Sequence, residues 1–183
     1  MGFVLLILGV ALWWAAHLFK RVMPAQRAAM GNGGKGAVAL ALVAAILLMI
    51  FGYRMTDTVF VWAPPVFMVH INNLLVLIAI YMMSPAGTKG RLLNKLRHPM
   101  LAGFKLWAFA HLLVNGDLAS IILFGGLLAW AVVEVIVINK SELEWTPAAP
   151  GTYGKDAMFF VASIVLLGVI GYIHGLVGPS PFG

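Results

Sequence analysis

Cysteine is absent from the 183-residue chain. That excludes a disulfide framework, a thiolate metal site and a Cys-linked haem. Charge is scarce as well. Charged residues make up 10%, against roughly 25% in an ordinary soluble domain. Acid is scarcest, with 6 Asp and Glu facing 12 Lys and Arg. Hydrophobic residues reach 62%, and the mean hydropathy is +1.00. A soluble enzyme, a disordered chain and a secreted disulfide scaffold are thereby excluded. No internal repeat and no long Ser/Pro linker divides the chain, so residues 1–183 read as one transmembrane domain.

What is present is a series of apolar runs. A helix needs about 20 residues to cross a hydrocarbon core of about 30 Å. Six runs qualify or nearly do, at 2–19, 37–53, 64–83, 99–115, 118–138 and 157–177. Pro99 suits a first helical position, and the spacing predicts the same start at Pro64 and Pro65. Asn115-Gly116-Asp117 reads as a tight turn joining two runs into a hairpin. No basic side chain precedes Phe3, while Lys20 and Arg21 follow the first run. That is the wrong polarity for a signal peptide and suits a retained helix with its N-terminus outside. Eleven of the twelve basic residues fall in the alternate segments 20–36, 84–105 and 139–156, Lys105 lying inside the fourth run and Arg54 being the exception. By the positive-inside rule, the expectation is an all-α, six-helix transmembrane bundle with both termini outside the cytoplasm. The basic residues lie between apolar runs, which suits lipid headgroups and not nucleic acid.

Ionisable groups within membrane spans are costly, so each is a functional candidate. The runs place His17, His70, His111, Glu134 and His174 at membrane depth, with His98 at the mouth of the fourth. Each histidine alone is explained by an interhelical hydrogen bond. Together they suit haem b, because imidazole ligates iron and a helix bundle supplies an apolar slot. Zinc is less favoured, since carboxylates are few and thiolates absent. Lys20, Arg21 and Arg97 are cations available to haem propionates. Arg97 and His98 are the candidates at that end, because arginine pairs a carboxylate through two parallel bonds. At about 1.5 Å rise per residue, depth pairs His70 with His111 on upright helices. It pairs His17 with His98, or with Glu134 as an acceptor. Trp107 and Trp130 read as lipid-facing or packing residues.

The stretch Arg97-His98-Pro99-Met100-Leu101-Ala102-Gly103, then Leu106-Trp107-Ala108, Ala110-His111-Leu112-Leu113 and Asn115-Gly116-Asp117-Leu118-Ala119-Ser120, resembles the NnrU family of integral membrane proteins. Ala16-His17 and Tyr172-Ile173-His174 resemble it too, while Leu18 stands where a small hydroxyl residue is expected. The resemblance implies a multi-pass protein of the bacterial inner membrane linked to denitrification. It also implies kinship with 15-cis-zeta-carotene isomerase, a haem b protein that isomerises a polyene double bond. Carried over residue by residue, that relative's haem histidines fall on His17 and His111. The resemblance thus prefers His17 with His111, where depth prefers His70 as the partner. The activity implied is cis/trans isomerisation of a lipophilic polyene. One alternative is a non-catalytic membrane subunit or assembly factor of a redox complex. A third is an S-adenosylmethionine-dependent membrane methyltransferase, which Arg97-His98-Pro99-x-x-x-Gly103 also resembles. Against it, residues Asn139 to Glu144 lack the adjacent glutamates of that class.

Overall fold

A computed structural model describes residues 1–182. Each apolar run of the sequence forms a helix. We label them α1 (Gly2–Val22), α2 (Pro24–Ala29), α3 (Gly33–Arg54), α4 (Met68–Met83), α5 (Ala86–Lys89), α6 (Pro99–Val114), α7 (Leu118–Ser141) and α8 (Tyr153–Val177). Among the described residues, β structure is confined to one isolated bridge between Phe60 and Asp117. Four helices, α1, α3, α7 and α8, are long and apolar enough to cross a membrane. Their exposed faces are apolar, with Leu40 at 72% and Val165 at 61% exposure. Such faces belong in lipid, where a helix satisfies its own backbone. The chain is a multi-pass membrane protein by these helices. The other two, α4 and α6, have 16 residues each, about 24 Å of rise.

Pro99 does open α6, at the position where its missing N–H costs nothing. Pro64 and Pro65 do not open α4, which begins at Met68. A residue before proline is pushed out of the helical region, so Pro64 stays extended. Pro65, Val66 and Phe67 then accept from Met68, Val69 and His70 in a tight lead-in turn. The expected turn at 115–117 is absent too. Gly116 accepts from the N–H groups of Val61 and Trp62, and Leu118 donates to Val59. These residues are extended because pairing with the 59–62 segment satisfies their backbone. Asp117 then caps α7, accepting from the Ser120 N–H at 2.9 Å.

The chain divides into two compact units, each discontinuous in sequence. The first comprises residues 1–63 and 115–143. In it α1 and α3 run antiparallel, since Gly2 meets Met55 and Gly9 meets Ala45 and Met49. A Cβ on Gly9 would lie 2.8 Å from the Met49 nitrogen, so only glycine admits the backbones this close. Small residues serve this purpose where lipid offers no hydrophobic drive for helices to associate. The helix α7 runs parallel to α1. Trp14 donates to the Gly126 carbonyl, His17 meets Trp130, and Arg21 reaches Ser141. Within α7, residues Ile121–Gly125 form a π-helical turn.

The second unit comprises residues 64–114 and 144–183. Here α4 is antiparallel to α6, with Gly103 against Ala79 and Met82. Val76, Ile80 and Ala110 form its core with Leu75, Trp107 and Leu167 around them. The same α4 is antiparallel to α8, because Tyr81 bonds Asp156 and Asn73 reaches Pro181. Asp156 is 4% exposed. It accepts from the Tyr81 hydroxyl at 2.8 Å and from the Arg91 and Leu92 N–H groups at 2.7 and 3.3 Å. A buried carboxylate is stable only when donors replace its water, and this one thereby anchors the basic 84–98 segment. The Arg91 guanidinium also sits 5.0 Å over the Tyr153 ring.

Candidate functional site

His17 and His111 share one local arrangement. Each lies four residues after a tryptophan, so both side chains occupy the same helix face. His17 Nδ1 is 3.0 Å from the Trp13 carbonyl, and His111 Nδ1 is 2.9 Å from that of Trp107. A carbonyl oxygen only accepts. In the neutral ring, Nδ1 therefore carries the proton and Nε2 the lone pair. Metal-binding imidazoles are commonly held in this way, with the second nitrogen donating to a carbonyl. The indoles steady the rings too. Trp13 lies 4.2 Å from His17 and Trp107 lies 4.9 Å from His111, between centroids.

In the first unit, the sequence did not point to the other indole on His17. Trp130 of α7 lies 4.4 Å from His17 and 5.4 Å edge-on from Trp13. Glu134 follows Trp130 by one turn, and its Oε2 is buried without a hydrogen bond. The nearby charge acting on it is Arg21. Arg21 itself donates to Glu142 at 2.8 Å and to Ser141 at 3.0 Å. Lys20 is exposed.

In the second unit, His174 lies within electrostatic range of His111. Its Nδ1 meets the Pro179 carbonyl at 2.7 Å, so it too carries its lone pair on Nε2. Asn72, 7% exposed, donates to Asn73 at 3.0 Å and keeps a buried, unbonded Oδ1. His70 stands on an exposed face of α4. Arg97 and His98 are half-buried at the entry of α6, where the His98 carbonyl accepts from Ala102. Among the described residues, no three His, Asp or Glu side chains gather to hold a metal ion. What the fold supplies is separate, oriented imidazoles in apolar surroundings. That donor set fits haem iron, which takes its other ligands from the porphyrin.

One family match takes in nearly all of both units. The family described as NnrU protein covers residues 5–181. The chain belongs to the NnrU family. No curated protein and no solved structure matched it. Within this NnrU chain, the residues of the 97–120 block take several distinct parts. Pro99 starts α6, His111 carries the oriented ring, and Asp117 and Ser120 start α7. Trp107 and Trp130 are packing residues as expected, Trp107 on the Val76–Ile80–Ala110 core and Trp130 buried in the first unit, and both also touch the histidines. The Trp-to-His spacing was on the sequence page, but the approach of Trp130 to His17 needed the tertiary fold.

Proposed function

We propose that this NnrU protein binds haem b in the bacterial inner membrane and isomerises a double bond of a lipophilic polyene. The carrying observation is the carbonyl-anchored imidazole, present at both His17 and His111. In this reading His111 and His17 are the iron ligands. Arg97 pairs a propionate, and His98 sets the helix entry beside it. Bound haem supplies a redox-active, Lewis-acidic iron to a double bond. The chain's own residues do the rest. The Trp13 and Trp107 carbonyls fix the Nδ1 protons, the indoles limit ring rotation, and apolar helices exclude water. Isomerisation adds and removes no atoms, so no soluble co-substrate site is needed. The resemblance to 15-cis-zeta-carotene isomerase supports the polyene as substrate class.

The same reading takes all six apolar helices across the membrane, with both termini outside. Helix directions within each unit agree with such alternation. The first, second and fifth runs go one way, back, and the first way again. The third, fourth and sixth go one way, back and back. The 16-residue helices cross by local thinning or by help from flanking residues, at fractions of a kcal/mol per Å of mismatch.

The test is the absorption spectrum of the purified full chain, oxidised and reduced, after expression with adequate haem. Two haem forms that vanish in His111→Ala are expected. A colourless protein with normal helix content overturns the reading. Haem without turnover of a cis-polyene would favour the non-catalytic subunit of a redox complex. A C-terminal reporter active only in the cytoplasm should stay silent, and strong activity would overturn the six-crossing topology.

A further inference from the structure

The first unit carries an open apolar groove of about 780 Å³ along α1 and the start of α7. Ala11, Ala15 and Gly126 leave the space, and Trp14, Leu18 and Ile122 border it. Its lining runs along α1 from Ile7 to Val22, about 22 Å of rise. One leaflet of hydrocarbon is about 15 Å deep. The groove therefore accepts a whole acyl chain lying along the helix.

One end of the groove is cationic. Trp14, Leu18 and Arg21 follow at i, i+4 and i+7, which sets Arg21 on the groove side at the last turn of α1. Only its Nη1 is engaged, by Ser141 and Glu142. The remaining donors of the fork make no bond among the described residues. The following segment, 20–36, carries Lys20, Arg21, Arg27 and Lys35 and no acid. An arginine fork matches phosphate geometry.

We propose that this groove is a binding site for an anionic phospholipid, with one acyl chain along α1 and the headgroup phosphate on Arg21. The site lies apart from the proposed haem ligands. Trp13 and His17 project from a neighbouring face of α1, and neither lines the groove. A second protein chain fits less well, because apolar docking alone leaves the Arg21 donors without use. Glu142 holds the guanidinium at the rim, so the fork is in place before a lipid arrives.

Native mass spectrometry of the purified full chain in detergent tests this, with phosphatidylglycerol and phosphatidylcholine of identical acyl chains added in turn. Phosphatidylglycerol should be retained about fivefold better, the worth of about one surface cation on an anionic lipid. Arg21→Gln should bring its retention down to the phosphatidylcholine level, and Arg21→Lys should restore most of it. Glu142→Gln should keep or raise it. Ala15→Phe, or the smaller Ala11→Leu, should lower retention of both lipids. Equal retention of the two lipids by the wild-type chain would overturn the proposal. So would an undiminished preference in Arg21→Gln, full binding in both groove-filling variants, or a dimer that excludes lipid. Circular dichroism on each variant confirms the fold on which these comparisons rest. Haem absorbance read on the same samples separates this proposal from the previous one, since either can fail alone.

Discussion

The two units solve one problem with different neighbours. Each packs a Trp-x-x-x-His helix against an antiparallel partner, and each adds a third helix parallel to the first. Each also ties a tyrosine near the end of one helix to an aspartate at the start of another. In the first unit Tyr53 donates to Ser120, which donates to Asp117 at 2.6 Å. That order follows because an ionised carboxylate only accepts. In the second unit Tyr81 reaches Asp156 directly. The histidines differ more. His17 forms a three-ring cluster with two indoles that also touch each other. His111 has a second imidazole, His174, in electrostatic range. The helix alone anchors Nδ1 identically in both. Tertiary packing decides what faces the rest of the ring. A four-residue spacing thus fixes a tautomer, and the neighbouring helix fixes the surroundings.

Single alanine variants break this comparison most sharply. His111→Ala should abolish haem absorbance, and His17→Ala should weaken or abolish it. His70→Ala, from an exposed face, should keep a normal spectrum. His174→Ala is the informative addition. Loss there with retention in His17→Ala would place both ligands in the second unit. Loss in His70→Ala with retention in His17→Ala would vindicate the depth argument over the family resemblance.

The aspartates come next. Asp156→Ala strands the buried Tyr81 hydroxyl and two part-buried N–H groups and should cost about 2–3 kcal/mol of stability. Asp117→Ala removes a helix cap and a serine partner, at about 1–2 kcal/mol. Thermal melts in detergent rank the two, and equal losses would dissolve the distinction between the ties. Loosening of residues 84–98 in Asp156→Ala should show as new proteolytic nicks there.

The helix crossings are expected to be more alike. Gly9→Ala and Gly103→Ala each force a Cβ to within 3 Å of a facing backbone atom and should cost about 1–3 kcal/mol. Gly168, with open space around its Cβ position, tolerates alanine. A melt showing Gly168→Ala as harmful as the other two would refute the close-packed crossings.

The smallest effect belongs to Arg97. Arg97→Lys keeps the topology charge and loses the fork. Haem titration should weaken severalfold at unchanged membrane insertion, by about 1 kcal/mol. Full occupancy in Arg97→Lys and Arg97→Gln would remove Arg97 from the propionate end.

Much of the helical layout was legible, because apolar runs of this length have few other fates. Pro99 was read correctly from its missing N–H. Pro64 and Pro65 misled, since the second proline constrains the first. Asn115-Gly116 carries turn chemistry, yet its backbone pairs with residues 59–62 far away in sequence. Asp156 follows Lys155 with no recognisable motif around it. Its burial depends on Tyr81 and on the fold of residues 90–92, which no local pattern encodes. Cost marked five ionisable groups and the family resemblance singled out His17 with His111, but their shared anchoring on Trp13 and Trp107 needed helix geometry to be recognised.

The π turn at Ile121–Gly125 has a bearing on how this chain tolerates changes in length. Such a turn holds one residue more than the α-helix around it, and each residue of an α-helix turns the face by about 100°. The widened turn absorbs the extra residue between two fixed points. Upstream lies the Asp117–Ser120 cap, and downstream lies the face carrying Trp130 and Glu134. Losing one residue here would shorten α7 very little. It would let the turn close as α-helix with Trp130 still facing His17, whereas a residue lost further along, between Gly126 and Trp130, would swing Trp130 about 100° away. This short stretch therefore tolerates the loss of one residue better than the regular α-helix that follows it.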